Sequence, residues 1–458
     1  MTSLFDPTDP RPLHFLGIGG AGMSALALAA RRRGVVVTGC DASDAGFADL
    51  RSAGASPVVG HDAAHVAGAR AVIVTAAVPA THPELVAALV AGVPVVPRKE
   101  ALAALVNAGT VVALAGTHGK TTTTVMTTEA LRAAGLAPSG LAGGRVAHWG
   151  GNALLDGDRL FVVEADEYDQ AFLTLQPTVA VINNVEPDHL ECYGSVEAME
   201  AAFVTFAARA AHVFVGTADA GSDRVAAALG DRVVRFGLER PDGVRVDAIT
   251  TDADGTTATV HFPEGGTVAL RLRVPGLHNL RNATAALAAT RALGGDVAAA
   301  AEALAAFTGV GRRFERHGVH QGVTFVDDYA HHPTELVATI AAARQAYPEQ
   351  RLVAVFQPHL YSRTLEHGVA MGEALAAADV VVVTDVYGAR EAPIAGVTGA
   401  LVADAALARG AVVQYEPRGD RLVGEIIDLL RDGDVLLTMG AGDITRIGPA
   451  VRDAMVVP

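Results

Sequence analysis

The chain has 458 residues, half of them hydrophobic and only 5% aromatic, a length that exceeds one core and leads us to expect about three domains. A formal net charge of −15 with no basic tract argues against a nucleic-acid partner, because nothing in the chain could neutralise a run of phosphates. No uncharged apolar run reaches about 18 residues, so a membrane partner is not expected either, and the Ala-, Val- and Gly-rich remainder reads as a soluble, cytoplasmic α/β protein.

The opening MTSLFDPTDPRP is acidic and broken by proline where a signal peptide would be basic and then apolar. From Leu13, HFLGIGGAGMSALALAARRRG reads strand, glycine turn, helix, and VVVTGCD (Val35 to Asp41) reads as the next strand. Gly17, Gly19 and Gly22 fit GxGxxG, a turn whose backbone can approach any diphosphate-bearing ligand. Asp41, at the end of the second strand, stands where an acidic residue normally binds a ribose. Gly20 makes the turn GxGGxG, followed by Met23 and Ser24, and the block is short for a complete dinucleotide fold. AVIVTAAV (Ala71 to Val78) and PVVP (Pro94 to Pro97) supply further strands. Cys40 and Cys192 stand far apart with no CxxC, so the spacing supports neither a disulfide framework nor a cysteine metal site.

A second block opens at Thr110. The β-branched run to Leu114 reads as a buried strand, Gly116 and Gly119 break it, and Lys120, Thr121 and Thr122 begin a Thr-rich helix. Unpaired N–H groups at a first helical turn make an anion site, to which Lys120 adds a point charge and Thr121 a hydroxyl for Mg²⁺. Gly116 lies three residues before Gly119, whereas GxxxxGK[ST] requires five. Lys99 and Lys120 are the only lysines in the sequence, so a compact ammonium has been kept inside a glycine turn of an otherwise arginine-using chain. RLFVVEADEYD then places Glu164, Asp166 and Glu167 at the end of the strand Leu160 to Val163. VAVINNVEPDHLECYG places Asn184, Asp188 and His189 beyond the strand Val179 to Ile182. Ligands collect at the carboxyl ends of parallel strands, so these segments should converge, and oxygen donors beside phosphate form the Mg²⁺ pattern. The stretch Val244 to Val274 alternates between Asp-Gly and Gly-Gly turns and reads as an antiparallel appendage. His278, Asn279 and Asn282 follow in the first turn of a helix, where Asn side chains can pair with adenine or cap the helix.

The third block carries strands Val323 to Ala330, Arg351 to Pro358, Asp379 to Val386, Ala411 to Pro417 and Asp434 to Ile444, separated by helical patterns. Polar residues again gather at strand ends: Asp327, Asp328, Tyr329, His331 and His332 after the first, His359 and Arg363 after the second. The adjacent His331 and His332 beside two Asp residues could hold a metal, although neighbours entering a helix at Pro333 point in different directions. Pattern changes near Asn107 and Val310 divide the chain into 1–107, 108–310 and 311–458.

GIGGAGMS, AGTHGKTTTT, VVEADEYD, NVEPDHLE, HNLRNATAA, GRRFERHG, DDYAHHPTE, FQPHLYSRT, REAPI and GAGDI occur in one order along nearly the whole chain. In this the sequence resembles the Mur ligases of peptidoglycan synthesis. The resemblance implies a Rossmann-like N-terminal domain for a UDP-sugar, a central P-loop ATPase-type domain and a Rossmann-like C-terminal domain for an amino acid. GIGGAGMS with DDYAHHPTE points to the member that joins L-alanine to the lactyl carboxylate of UDP-N-acetylmuramate, with ATP and Mg²⁺, as a monomer or weak homodimer. By resemblance, the nucleotide sugar falls to Gly17, Gly19, Gly20, Gly22, Met23, Ser24 and Asp41. ATP falls to Gly116, Thr117, Gly119, Lys120, Thr121, Thr122, His278, Asn279 and Asn282, with Asp327 or Asp328 at its ribose or at the acceptor amine. Thr121, Glu164 and His189 would bind metal, Arg313 would meet the developing phosphate charge, and Tyr329, His331, His359 and Arg363 would form the amino-acid pocket. Several other members steady a second metal with a carbamylated lysine, a device this chain lacks because no lysine follows Lys120. Leu360 departs from the arginine that many members carry, which would either weaken carboxylate binding or shift the task to Arg363; the start of VYGAREAPI also differs and is expected to be neutral.

Three other readings compete. A recycling ligase would join a preformed peptide to the same sugar, and its glycine turn is expected to differ from GIGGAGMS. An NAD-linked oxidoreductase would explain the glycine turn and Asp41 but not Lys120 or the carboxylates. A nucleotide-gated binding protein would explain the phosphate loop but not Arg363 or the His331 region.

Overall fold

The computed structural model describes residues 4–238, 242–389 and 391–455, so Arg390, which opens the REAPI motif, lies outside the described residues. Three sheets organise the chain. In the first, β1 (Leu13–Leu16), β2 (Val37–Asp41), β3 (Ser56–Val59), β4 (Ala71–Val74) and β5 (Val95–Pro97) pair in parallel in the order 3-2-1-4-5. This is half of a doubly wound sheet, with the glycine turn after β1 at the point where strand order reverses.

The second sheet holds β6 (Thr110–Ala115), β7 (Pro138–Val146), β8 (Gly151–Leu155), β9 (Leu160–Glu164), β10 (Val179–Ile182), β11 (His212–Gly216), β12 (Val233–Leu238), β13 (Val244–Asp252), β14 (Gly255–His261) and β15 (Thr267–Leu272). Their order is 15-14-13-12-11-10-6-9-7-8. The continuous Val/Ala/Leu runs of β6, β9 and β10 are buried on both faces, which explains why they lack polar alternation. The segment expected as an appendage is instead a continuation of this sheet: β13 pairs in parallel with β12, and β14 and β15 extend the edge.

The third sheet contains β16 (Glu315–His320), β17 (Val323–Asp328), β18 (Leu352–Phe356), β19 (Val380–Val383), β20 (Val413–Tyr415) and β21 (Val435–Met439), in the order 16-17-21-18-19-20. All five expected strands are present. β16 was not expected: ERHGVH has no apolar run, and it forms an exposed edge held by antiparallel pairing to β17.

By contact density the chain divides into two compact units. Residues 1–249, 258–271 and 281–306 form the first, which contains the first sheet and most of the second; residues 250–257, 272–280 and 307–458 form the second. Within the first unit, the N-terminal helix Ala21–Arg32 packs on β7 and β8. Arg32 donates to the carbonyls of Ala153, Trp149 and Gly150, and Asn152 donates to Ala21 O at 2.6 Å and Ser24 Oγ at 3.0 Å. No helix among the described residues is long and apolar enough to cross a membrane.

Candidate active site

The phosphate loop follows β6 and enters the helix Lys120–Ala133. Gly116 (φ +127°) and Gly119 (φ +80°) have left-handed backbones. A Cβ at Gly116 would stand 3.0 Å from backbone atoms of Asn183 and Asn184, and one at Gly119 would stand 2.8 Å from Asn282 Oδ1, so both positions require glycine. The loop is pinned from β10: His118 N donates to Asn184 Oδ1 at 2.7 Å, Asn183 Nδ2 donates to Thr123 Oγ1 at 2.9 Å, and Thr117 exchanges hydrogen bonds with the backbone of Glu186. Because β9, β6 and β10 are adjacent and parallel, Glu164, the loop and the Asn183–His189 segment leave the same edge of one sheet.

Lys120 Nζ donates to Glu167 Oε2 at 2.7 Å, Glu167 Oε1 at 2.8 Å and Gly116 O at 2.7 Å. Burial pushes the ammonium down, but the negative charges of Glu167, Asp166 and Glu164 outweigh it and hold Lys120 above its ordinary value. Burial likewise raises Glu167 against the pull of Lys120. Glu167 was read only as part of an acidic cluster, and its pairing with Lys120 could not be seen from a spacing of 47 residues.

Glu164 receives a hydrogen bond from Gly143 N. A Cβ on Gly143 would lie 2.8–2.9 Å from the two carboxylate oxygens, so this glycine in β7 makes room for Glu164. Gly143→Ala should therefore displace a flexible carboxylate and leave the backbone in place. We expect kcat to fall about tenfold, with a higher Mg²⁺ requirement and an unfolding free energy within about 1 kcal/mol of the original. An unchanged Mg²⁺ titration would remove Glu164 from the metal set. His189 has a left-handed backbone (φ +55°) and sits edge-on to Tyr168, ring centroids 5.0 Å apart, which brings it to the Glu167 segment.

Around the first glycine turn, Gly17 is left-handed, and Gly19 N donates to Asp41 Oδ2 at 2.9 Å, so Asp41 braces the turn. Met23 and Ser24, expected at the nucleotide sugar, are buried instead. Met23 belongs to the core, and Ser24 Oγ donates to Gly20 O and accepts from Asn152, because both lie on the helix face that packs inward. Arg98, which sequence reasoning passed over, approaches Gly22 and lies 3.6 Å from Asp166. With Lys99, Glu164 and Asp166 it lines a small cavity beside the metal ligands expected here.

His278 and Asn279 belong to the second unit and Asn282 to the first. Asn279 Nδ2 donates to Pro275 O at 2.7 Å, and Asn282 lies against the phosphate loop. Asp327 and Asp328 do not present themselves to a ribose. Asp327 accepts from Arg312 Nε at 3.2 Å, Thr438 Oγ1 at 2.6 Å and Thr445 Oγ1 at 2.9 Å, and Asp328 accepts from Phe314 N at 2.7 Å and Ala330 N at 2.8 Å. Both are buried braces that fold the GRRFER segment against β17. There the guanidiniums of Arg312 and Arg313 each lie 4.9 Å from the Tyr329 ring centre.

Burial pushes Asp328 up to about 6, against the opposing charge of Arg313 and the two N–H donors. A carboxyl raised on folding stabilises most below its unfolded value of 3.8 and loses that contribution as pH rises through about 6. Between about pH 4 and pH 7 the protein should lose about 2–3 kcal/mol relative to Asp328→Asn, measured by urea unfolding. Parallel pH profiles for the two proteins would show that Asp328 does not titrate in that window.

In the amino-acid pocket implied by the resemblance, His331 Nδ1 lies 3.0 Å from Tyr329 O and 3.2 Å from Glu335, while His332 caps the helix Pro333–Ala346. Their separate roles explain why the adjacent pair does not act as one ligand set. His331, His359 and Tyr387 form a ring series, with Tyr387 stacked on His359 at 5.8 Å; Tyr387 was not anticipated. Arg363 is buried in the first turn of the helix Tyr361–Leu375. Leu360 caps that helix with φ +70°, ψ 136°, a strained conformation for a side-chain-bearing residue.

Family models place this arrangement. The Mur ligase family catalytic domain matches residues 12–110, the Mur ligase middle domain residues 114–290 and the Mur ligase glutamate ligase domain residues 312–442. The chain belongs to the Mur ligase family and is therefore an ATP-dependent amide-bond-forming ligase. UDP-N-acetylmuramate-L-alanine ligases are similar to it along nearly its whole length. That of Kineococcus radiotolerans is 47% identical over 97% of the chain and 96% of the relative, and that of Renibacterium salmoninarum 44% identical over 97% and 96%. Among solved structures, the UDP-N-acetylmuramate-alanine ligase of Thermotoga maritima superposes with a TM-score of 0.82 at 30% identity, covering 97% of this chain and 99% of that one. A murein peptide ligase from Psychrobacter arcticus gives 0.75 at 26% identity, covering 98% and 100%.

Proposed function

We propose that this chain joins L-alanine to the lactyl carboxylate of UDP-N-acetylmuramate in the cytoplasm, forming ADP and phosphate, as a step of peptidoglycan precursor synthesis. The observation that carries the reading is the single sheet edge at which the Lys120 loop lies between Glu164 and the Asn183–His189 segment. Three domains near 1–107, 108–310 and 311–458 fit the three sheets.

The loop N–H groups and the Lys120 ammonium hold the ATP phosphates, with Glu167 positioning that ammonium at the loop. Asn282 seats the nucleotide side of the loop, and His278 and Asn279 offer polar groups for adenosine. Thr121 and Glu164 offer a hydroxyl and a carboxylate, the oxygen donors that suit Mg²⁺, and His189 would stand beside them as a further ligand; the ion would supply charge neutralisation at the transferring phosphoryl group. A carboxylate oxygen of the sugar attacks Pγ, the bond to the β-phosphate oxygen breaks, and ADP leaves. The resulting acyl phosphate exchanges a poor leaving group for a good one. The amine of alanine then attacks the acyl carbon, gives up a proton, and phosphate departs. By the family resemblance, Arg313 would meet the departing charge, and Arg363 would grip the alanine carboxylate with Tyr329, His331 and His359.

A coupled phosphate assay tests this. Phosphate release should require UDP-N-acetylmuramate and L-alanine together, and the tripeptide accepted by peptide-joining relatives should not replace alanine. ATP hydrolysis that ignores both substrates would overturn the reading.

A further inference from the structure

Away from the phosphate loop, four segments of the N-terminal sheet domain bring ligating side chains to one point. Glu84, in the first turn of the helix Pro83–Val90, has a fully buried carboxylate. It lies 3.0 Å from His14 Nε2, 3.0 and 3.1 Å from Cys40 Sγ, 3.1 Å from His65 Nδ1, and accepts Asp62 N–H at 3.0 Å. His14 and Cys40 come from β1 and β2, and His65 from the short turn after β3. Among the described residues the ion-pair partners of Glu84 are histidines, so no guanidinium or ammonium neutralises this buried carboxylate. The donor atoms of His14, Cys40, His65 and Glu84 all lie within 4.8 Å of one another.

We infer that His14 Nε2, Cys40 Sγ, His65 Nδ1 and one Glu84 oxygen form a structural zinc site. Two imidazoles, one thiolate and one carboxylate are the borderline donor set that zinc prefers, and their charges cancel those of a divalent ion, so the buried assembly is neutral. Tetrahedral zinc with bonds of about 2.0–2.3 Å separates its ligand atoms by roughly 3.2–3.7 Å. At present His14 lies 3.0 Å from Glu84 Oε2, His65 3.1 Å from Oε1 and Cys40 at 3.0–3.1 Å from both, so the two oxygens lie among the donors. A rotation of the carboxylate that leaves one oxygen as ligand, with the donor atoms, now within 4.8 Å of one another, drawing to tetrahedral spacing, would admit the ion. The surroundings also match a metal site. His14 Nδ1 lies 3.0 Å from Thr38 Oγ1, which directs Nε2 inward. At the rim His61 Nδ1 is 3.2 Å from Cys40 Sγ, and His61 sits edge-on to His82, whose buried Nδ1 has no hydrogen-bond partner. On binding, the Cys40 thiol gives its proton to solvent and its sulfur bonds to the ion. Four protein ligands leave no open position, which fits bracing and not catalysis. What it braces is the glycine turn, because Cys40 O accepts the N–H groups of Gly17 at 2.8 Å and Ile18 at 3.0 Å.

The full-length protein, stripped with a chelator and dialysed against zinc in Mg²⁺ buffer, should retain one zinc per chain through gel filtration. The cobalt-loaded form should show an intense near-ultraviolet thiolate-to-cobalt band that saturates at one equivalent. With two cysteines in the chain the assignment is direct: Cys192→Ser should keep the band and Cys40→Ser should lose it. Should Cys40→Ser fail to fold, His65→Ala, whose ring is partly exposed, provides the second test, with zinc affinity expected to fall at least about tenfold. Absence of the band in the unaltered protein, its persistence in Cys40→Ser, or unchanged zinc affinity in His65→Ala would overturn the site.

Discussion

Replacing Lys120 with alanine is expected to lower phosphate release by about a thousandfold or more, since on the proposed function the ammonium meets charge that develops as the phosphoryl group transfers. The same change leaves Glu167, 2% exposed, without its cation. Stranding a buried charge costs about 3–5 kcal/mol, so activity and stability fall together in the single variant. The double variant Lys120→Met, Glu167→Gln separates them. Urea unfolding should recover most of the lost stability, because no uncompensated charge remains, while turnover stays as low as in Lys120→Ala. Recovery of turnover in the double variant would show that Lys120 serves the fold and not the phosphates.

Arg363→Ala should raise KM for alanine about a hundredfold and leave KM for ATP within about twofold. A bidentate guanidinium–carboxylate contact contributes about 3 kcal/mol, which corresponds to that factor. Leu360, three residues earlier, offers no charge of its own, so on the proposed function the recognition falls to Arg363 on this helix. Arg363→Lys should recover only part of the loss, because an ammonium lacks the planar fork. Steady-state kinetics with alanine varied at saturating ATP and nucleotide sugar measure both changes. A KM for alanine that does not move in Arg363→Ala would exclude Arg363 from the pocket.

The phosphate loop was legible because its chemistry is local: a β-branched run, two glycines and a lysine lie within eleven residues, and their backbone needs are set by neighbours in the chain. The same holds for the apolar runs that became buried parallel strands. Legibility failed where a residue's role depends on what packs against it. Met23 and Ser24 follow the first glycine turn in sequence, yet the pitch of their helix turns them toward β7 and β8. Asp327 and Asp328 look like strand-end acids, but Arg312, Phe314 and two threonines of the β21 region fold over them. β16 has no apolar signature because an edge strand is held by main-chain pairing.

By itself the sequence determined the class of α/β fold, the order of the three sheets along the chain, the family and the strand–glycine turn–helix form of the Lys120 loop, all of which follow from periodicity and from motifs spanning a few residues. Only the tertiary structure decided that Glu167 holds Lys120, that Gly143 makes room for Glu164, and that Cys40, dismissed by its spacing, stands among His14, His65 and Glu84. Those pairings join residues 21 to 70 positions apart. Sheet order sets such distances, and sheet order is fixed by burial of the whole core and not by any local run.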